Sequence, residues 1–404
     1  MITGLSLGCL YFYIIPIFIF LIRGDLSVVE GLKPQYSQMV IGTESLAVVF
    51  RMTSFIFIFQ LLIFVVQQFF ARVIELNKFI SPPQVSWKRL KVVAFILILF
   101  YLFFITFVLK QADHWYEARG VFLNKFGQIA VFYIFCLFSL KMILLSDLFN
   151  VFEARFKSGK AIFLIATVAM LAELVITGNR ISLLLCFVLF GWACLVRKSF
   201  GLLISWIFLG GFLGVLLAGY GIFRSLQHRL GLAAAWSALI SQLTEVGDLF
   251  YFSISGIFET VNINVLYSIT RLESMSELSI TKLTFIKPFL APIPRSIMPY
   301  KIETITELIG QVYASTKGVS LVTLIYGEGY YNFGVFYPIF ILPFVSMLLL
   351  LLRLGSRYSE YRYLSLLVGF LVVRFPFSDV VIQTSVAIFI GFLVKRINLS
   401  ITKI

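Results

Sequence analysis

The sequence predicts an all-α, polytopic integral membrane protein with about 10 transmembrane helices and one large extracytoplasmic loop. Of its 404 residues, 60% are hydrophobic and only 13% are charged, and the mean hydropathy is +0.99. Soluble domains are nearer half apolar and a quarter charged, so this balance indicates a chain surrounded by lipid. Apolar runs also recur along the chain, and most approach the roughly 20 residues that a helix needs to cross a bilayer.

The apolar runs define the predicted spans. The first run has no basic segment before it and no small-residue cleavage site after it, which favours a retained span over a signal peptide. The stretches 161–196 and 363–394 are predicted to be tight hairpins, each with a polar tip between two short crossings. The predicted spans are residues 5–22, 46–70, 92–109, 129–145, 161–177, 181–196, 202–222, 335–352, 363–375 and 380–394.

The lysine and arginine residues between these spans predict the orientation. Sixteen fall in the connections and tail on one side, against seven in the short loops of the other side. The positive-inside rule makes the first side cytoplasmic and places both termini there. Residues 1–222 then hold seven spans, 223–334 form an extracytoplasmic loop with amphipathic helices, and 335–404 hold three spans. The same rule and anionic lipid explain much of the net charge of +14 without nucleic acid.

Several kinds of chemistry are poorly supported by the sequence. All four cysteines lie in apolar spans, where they are ordinary small hydrophobic residues. The two histidines, His114 and His228, have no metal spacing and no serine and aspartate in motif context. The chain has no P-loop, dinucleotide fingerprint or HExxH motif, and no acidic pair at short spacing stands out as a metal site. We therefore expect metal-independent chemistry without a cofactor.

Two arginines lie at the predicted outer tips of the tight hairpins. Arg180 ends the sequence TGNR at residues 177–180, and Arg374 begins RFPFSD at 374–379. An interfacial arginine that reaches lipid head groups is the simple interpretation of Arg180, and a salt bridge with Asp379 is that of Arg374. The alternative is an anion site between the helices, because guanidinium binds phosphate oxygens bidentately. Glu173 precedes Arg180 by two helical turns and is predicted to pair with it or to act as a base.

Two motifs in and after the long loop are further candidates. Arg295 lies between prolines in IPRSIMP at residues 293–299, which suggests a positioned side chain. GEGYYNFG follows at 327–334, where glycines allow close backbone approach. Glu328 is a candidate to bind a sugar hydroxyl or accept a proton, and Tyr330 and Tyr331 are candidates to stack on a sugar ring. An interfacial aromatic belt explains the second motif equally well.

Together, and in this order, the TGNR, IPRSIMP and GEGYYNFG motifs resemble the O-antigen polymerase family, the Wzy-type oligosaccharide repeat-unit polymerases of bacterial inner membranes. The resemblance covers roughly residues 160–394, whereas the first 150 residues match only as apolar spans. The N-terminal part is shorter than in the longer members of that family. It implies a membrane glycosyltransferase of the C superfamily that acts outside the membrane on undecaprenyl-pyrophosphate-linked repeat units. A chain-length regulator and a flippase of the same pathway are candidate partners.

The resemblance also implies roles for individual residues. Arg180 and Arg295, with Arg374 less directly, would handle the pyrophosphate, and Tyr330, Tyr331 and Asn332 would contact sugar or pyrophosphate. Glu328 is the first choice to activate the acceptor hydroxyl, followed by Glu245 and Asp248. Two other functions stay open. One is an O-antigen ligase that transfers glycan to lipid A core, with His228 as its only loop histidine, and the other is a lipid-linked oligosaccharide transporter.

Overall fold

A computed structural model shows an almost entirely helical chain. Helix accounts for 96% of the described residues, and the exceptions include a two-stranded antiparallel pair in which Asp25 faces Val40 and Leu26 faces Met39. The predicted helical class is therefore confirmed. The structure describes residues 2–26, 39–40, 42–73, 87–111, 122, 125–126, 128–154, 168, 181–196, 200–201, 203–212, 234, 237, 240, 261–271, 284–290, 293, 297–298, 305–306, 324–356 and 362–401.

Helices in the described ranges are numbered here in chain order. A π-helical turn, Leu10–Ile14, joins the first two helices, and 3-10 turns precede the ninth and eleventh. The helices are α1 (Ile2–Cys9), α2 (Ile15–Arg23), α3 (Thr43–Val73), α4 (Trp87–Gln111), α5 (Gln128–Ala154), α6 (Ile181–Val196), α7 (Leu203–Phe212), α8 (Val261–Arg271), α9 (Lys287–Leu290), α10 (Leu324–Phe333), α11 (Tyr337–Ser356), α12 (Arg362–Arg374) and α13 (Phe377–Ile401).

Within the described residues, four stretches are long and apolar enough to cross a membrane, and they coincide with the first four predicted spans. They are Gly4–Arg23, Ser45–Val66, Leu90–Phe107 and Phe132–Asn150. In the last of these, which lies in α5, 67% of the residues are buried, against 22% to 44% in the other three. The helix α5 is therefore at the centre of the bundle, and large apolar side chains such as Phe50 and Phe57 on α3 face outward.

Helices also lie at most of the other predicted spans. Within their described residues, α6, α7, α12 and α13 contain apolar stretches of 10 to 17 residues, and α11 overlaps the predicted span 335–352 from Tyr337 onward. The predicted span 161–177 lies outside the described residues except for Val168, which is helical. The total of ten crossings remains a prediction.

The first helix packs in parallel against α12, and two glycines allow this contact. A Cβ atom at Gly8 would lie 2.7 Å from the carbonyl oxygen of Phe370, and one at Gly4 would collide with the carbonyl of Leu366. Both glycines face the same helix because they are four residues apart, the spacing at which small residues let membrane helices approach closely. The α1–α12 pair thus has a backbone-to-backbone contact that larger side chains would prevent.

Proline explains the irregular turn within the first span. Pro16 has no N–H group to donate to the carbonyl four residues earlier, and the π-helical turn Leu10–Ile14 lies directly before it. The helix α2 then ends at Gly24, whose φ of 89° is left-handed and whose N–H donates to Phe20 O at 2.9 Å.

The helix α10 lies within the predicted extracytoplasmic loop, yet it is buried in the bundle. Every residue from Leu324 to Gly329 is buried, and Tyr326 contacts side chains of the first two candidate spans. Its ring centroid is 6.1 Å from those of both Tyr13 and Phe59. The chain then turns at Gly334, whose φ is 58°, and enters α11. The last residues of the predicted loop therefore belong to the helical core.

Candidate functional site

Glu328 joins three separate parts of the chain. Its side chain is 0% exposed, and its Oε1 atom accepts a hydrogen bond from Thr284 Oγ1 at 3.0 Å. Its Oε2 atom accepts a hydrogen bond from the backbone N–H of Phe377, the first residue of α13. A fully buried carboxylate with acceptor bonds on both oxygens fastens α10 to the segment 284–290 and to the start of α13.

The position of this carboxylate at the start of α13 is electrostatically favourable. The first N–H groups of a helix have no partner within the helix, and the helix dipole places partial positive charge there. A carboxylate at this end satisfies one such donor and is stabilised by the dipole. In most helices the capping acceptor comes from a side chain next to the helix start in the sequence. For α13 it comes from Glu328, which lies in a different helix.

The pKa of Glu328 is displaced towards neutrality. Burial raises the pKa from 4.5 to about 7, and the negative charge of Asp379 acts in the same direction. The hydrogen bonds from Thr284 and from the N–H groups of Phe377 and Ser378 oppose this rise. Loss of hydration is the larger effect because no part of the side chain reaches solvent. Glu328 therefore changes protonation near neutral pH.

Asn332 closes the same network one helical turn later. Its Nδ2 atom donates to Thr284 Oγ1 and to the carbonyl oxygen of Glu328, each at 2.7 Å. Its Oδ1 atom accepts from the Thr284 N–H at 3.1 Å. Contact of Asn332 with sugar or pyrophosphate, which the family resemblance implies, stays a prediction. In the structure its side chain holds Thr284 in place to donate to Glu328.

The predicted tyrosines occupy different environments. Tyr331 is only 3% exposed, and its burial raises the pKa of the phenol above its usual 10. Tyr330 is half-buried, with its ring centroid 6.5 Å from that of Tyr337. A sugar ring could approach Tyr330 more readily than Tyr331. The prediction missed Tyr326, whose hydroxyl accepts a hydrogen bond from Gln60 Nε2 at 3.4 Å.

Arg374 lies at the tip of the hairpin formed by α12 and α13, which we call the 374–379 tip. It is the last residue of α12 and is half-buried, and its guanidinium carbon lies 4.6 Å from the centroid of the Phe375 ring. A cation at the end of a helix is favoured by the dipole. Because Phe377 in this tip donates to Glu328, the RFPFSD and GEGYYNFG motifs are in direct contact.

Several predicted residues lie outside the described part of the chain. These include two of the three arginines, although residues close to both are described. The helix α6 begins directly after Arg180. Beside Arg295, Ile293 donates its N–H to Leu290 O at 3.1 Å. The predicted residues outside the described ranges are Arg180, Arg295, Glu173, Glu245, Asp248, His114 and His228.

A buried lysine in α5 is among the charged residues that sequence interpretation passed over, together with Asp147 in the same span, which is 2% exposed. Lys141 is 3% exposed and lies in the middle of the span Phe132–Asn150. The sequence alone indicates this residue, because an ionisable residue in an apolar span is costly and is often functional. Within the described ranges, no three His, Cys, Asp or Glu side chains are grouped so that they could hold a metal ion.

Comparisons with known proteins assign no family or function to this chain. The chain matches no protein-family model, no curated protein and no solved structure. Its function therefore has to be argued from its own motifs and geometry.

Proposed function

We propose that this protein is a membrane-embedded glycosyltransferase that polymerises undecaprenyl-pyrophosphate-linked oligosaccharide repeat units. The reaction takes place at the outer face of the bacterial cytoplasmic membrane and yields a surface polysaccharide. This proposal includes about ten crossings with both termini cytoplasmic, in accord with the distribution of lysine and arginine residues. Four long apolar helices support a membrane location.

The observation that carries the proposal is the contact between motifs that are distant in sequence. Glu328 of GEGYYNFG accepts the backbone N–H of Phe377, three residues after Arg374, across a separation of 49 residues. Thr284, which also donates to Glu328, lies eleven residues before Arg295. The tip that carries Arg374 is thus packed against GEGYYNFG, and the chain runs from Thr284 on to IPRSIMP. These two observations support a shared site.

The proposed reaction transfers the growing glycan between two lipid-linked units. A hydroxyl oxygen of the incoming unit forms a bond to the anomeric carbon of the growing chain, and the bond from that carbon to the pyrophosphate breaks. Undecaprenyl pyrophosphate leaves with the bonding electrons, and the hydroxyl proton passes to a carboxylate, for which Glu245 and Asp248 are the proposed candidates. Negative charge develops on the leaving group, so fixed guanidinium groups stabilise the transition state. Arg180, Arg295 and Arg374 are the proposed groups.

We assign Glu328 a positioning role within this reaction. Its two oxygens are engaged by Thr284 and Phe377, and its burial separates it from any acceptor outside the bundle. The bond to Phe377 fixes the tip that carries Arg374. A glutamine at position 328 retains an acceptor oxygen but cannot take up a proton. Glu328→Gln is therefore expected to retain more than a tenth of the activity, whereas loss of a general base costs about a hundredfold or more.

The test is polymerisation by the purified protein in vesicles, with a lipid-linked repeat unit supplied at the outer face. We expect a ladder of products from the wild type and single units from Arg180→Ala, Arg295→Ala and Arg374→Ala. Removing one transition-state donor typically lowers the rate by about a hundredfold or more. Arg23→Ala is the matched control, since Arg23 is an exposed arginine at the predicted outer end of the first span.

Other outcomes would contradict the proposal. Transfer of glycan to lipid A core without lengthening would indicate a ligase. Movement of the lipid-linked unit across the vesicle membrane without bond formation would indicate a transporter. Normal ladders from stably inserted arginine variants would remove the proposed site even if the wild type polymerises.

A further inference from the structure

Lys141 places a cation in the interior of the helical bundle. It lies nine residues from each end of the span Phe132–Asn150, which is about 14 Å along the helix in either direction. Its side chain is 3% exposed, and its Nζ atom lies 5.4 Å from the centroid of the Phe138 ring. Phe138 is nearly one turn earlier in α5, so the lysine side chain extends towards the N-terminus of its own helix.

The ammonium group binds the first turn of a different helix. Lys141 Nζ donates to Ser182 Oγ at 3.1 Å, and Ser182 is 1% exposed. Ser182 is the second residue of α6. The bond therefore holds the start of α6 beside the middle of α5. A hydrogen bond from a charged donor is among the stronger polar contacts, particularly where water is excluded.

Stability alone is a weak reason for a lysine at this position. Placing an ammonium group inside an apolar bundle costs several kcal/mol before its hydrogen bonds offset part of that cost. A methionine or leucine of similar length would pack against Phe138 without this penalty. Ionisable residues inside membrane spans are therefore associated with function.

The start of α6 gives the lysine a specific role. The motif TGNR ends at Arg180, two residues before Ser182. The helix α6 begins at Ile181, directly after Arg180. A bond that fixes Ser182 therefore also fixes the depth and rotation of α6. We propose that Lys141 is a positioning residue for Arg180, acting through Ser182. The proposal rests on the proposed function, in which Arg180 binds the pyrophosphate of the lipid-linked substrate.

The first experiment measures polymerisation in vesicles. Lys141→Met and Ser182→Ala are each expected to lower kcat/KM about ten- to a hundredfold, the range for loss of a hydrogen bond to a charged group. Lys141→Arg keeps a charged donor and should recover much of this loss. Ser146→Ala is the matched control, because Ser146 is, like Ser182, a buried serine whose hydroxyl joins α5 to another helix. Its Oγ accepts a hydrogen bond from Leu364 N in α12 at 3.2 Å.

A double-mutant comparison separates positioning from general damage. If Lys141 acts through Arg180, adding Lys141→Met to Arg180→Ala causes little further loss, because the group being positioned is already absent. A merely structural lysine would lower activity by a similar factor in both backgrounds. Independent losses would overturn the proposal.

The second experiment does not depend on enzymatic activity. Arg180→Cys introduces a thiol for a charged, membrane-impermeant methanethiosulfonate reagent, and the four native cysteines are buried. The labelling rate is compared with and without Lys141→Met, using the parent without the new cysteine as background. A severalfold change in rate supports the proposal, and an unchanged rate overturns it. If Lys141→Met does not accumulate in the membrane, Ser182→Ala provides the same comparison.

The two experiments distinguish the two proposals. Absence of polymer from the wild type would refute the proposed function, yet the labelling comparison would still report whether Lys141 determines the placement of residue 180. Active wild type with unchanged labelling would refute only the role of Lys141.

Discussion

Replacing Glu328 by glutamine is expected to remove a pH-dependent component of this protein's stability. The pKa of Glu328 is raised from 4.5 to about 7 in the folded chain, chiefly by burial. Between these values the folded state binds more protons than the unfolded state. The contribution to stability is therefore complete below about pH 4.5 and is lost as the pH rises through about 7.

The magnitude follows from the size of the shift. At about 1.4 kcal/mol per pKa unit, a rise from 4.5 to about 7 corresponds to roughly 3 kcal/mol. Glutamine is neutral at every pH and nearly isosteric with glutamic acid. The free energy of unfolding of Glu328→Gln should therefore improve relative to the wild type by about 3 kcal/mol between about pH 4 and about pH 8.

The assay is thermal unfolding in lipid nanodiscs, followed by the fluorescence of the five tryptophans. All other titrating groups are common to the two proteins, so the difference between their midpoints isolates Glu328. Glu328→Ala is a second comparison, because it leaves the Thr284 hydroxyl and the Phe377 N–H without this acceptor. Each such buried group costs about 1–3 kcal/mol. Parallel midpoint curves for wild type and Glu328→Gln across this pH range would refute the reasoning.

Three further substitutions test the packing around this site by the same thermal assay. Thr284→Val removes the donor to Glu328 and should destabilise the fold by about 1–3 kcal/mol, and a midpoint equal to that of the wild type would contradict the network. Gly8→Leu should sharply lower the yield of folded protein, because its side chain would meet the backbone of α12, whereas Gly42→Ala has open space and should be neutral. Tyr326→Phe removes the hydroxyl's 3.4 Å contact with Gln60 and its hydrogen bond with the Cys9 thiol, and should cost about 1.5 kcal/mol or less.

The positions of the helices were predictable because they depend on properties of single residues. Runs such as 46–70 and 92–109 contain few residues that lipid disfavours, and α3 and α4 occupy them. The parallel contact of α1 with α12 was also readable in part. Gly4 and Gly8 have the four-residue spacing of close helix pairs, although the sequence does not identify α12 as the partner.

The burial of α10 was not predictable from its composition. Its sequence, LIYGEGYYNF, contains two glycines, a glutamate and an asparagine, and such residues normally indicate a loop at a membrane surface. What buries it is pairing with donors far away in sequence, such as Thr284 and Phe377. Hydropathy scores each residue alone, so it cannot register a polar group whose cost is offset by a distant partner.

The buried carboxylate of Glu328 satisfies a backbone N–H group in the hairpin of α12 and α13. The tip of this hairpin is buried in the bundle, with Phe377 4% and Ser378 0% exposed. The first N–H groups of α13 thus lack the water that would satisfy them at a membrane surface. Glu328 supplies an acceptor there, and an apolar residue at position 328 would leave the Phe377 N–H without it. The buried tip that carries Arg374 is therefore stabilised by the acceptor of Glu328, a physical reason for the contact between the two motifs.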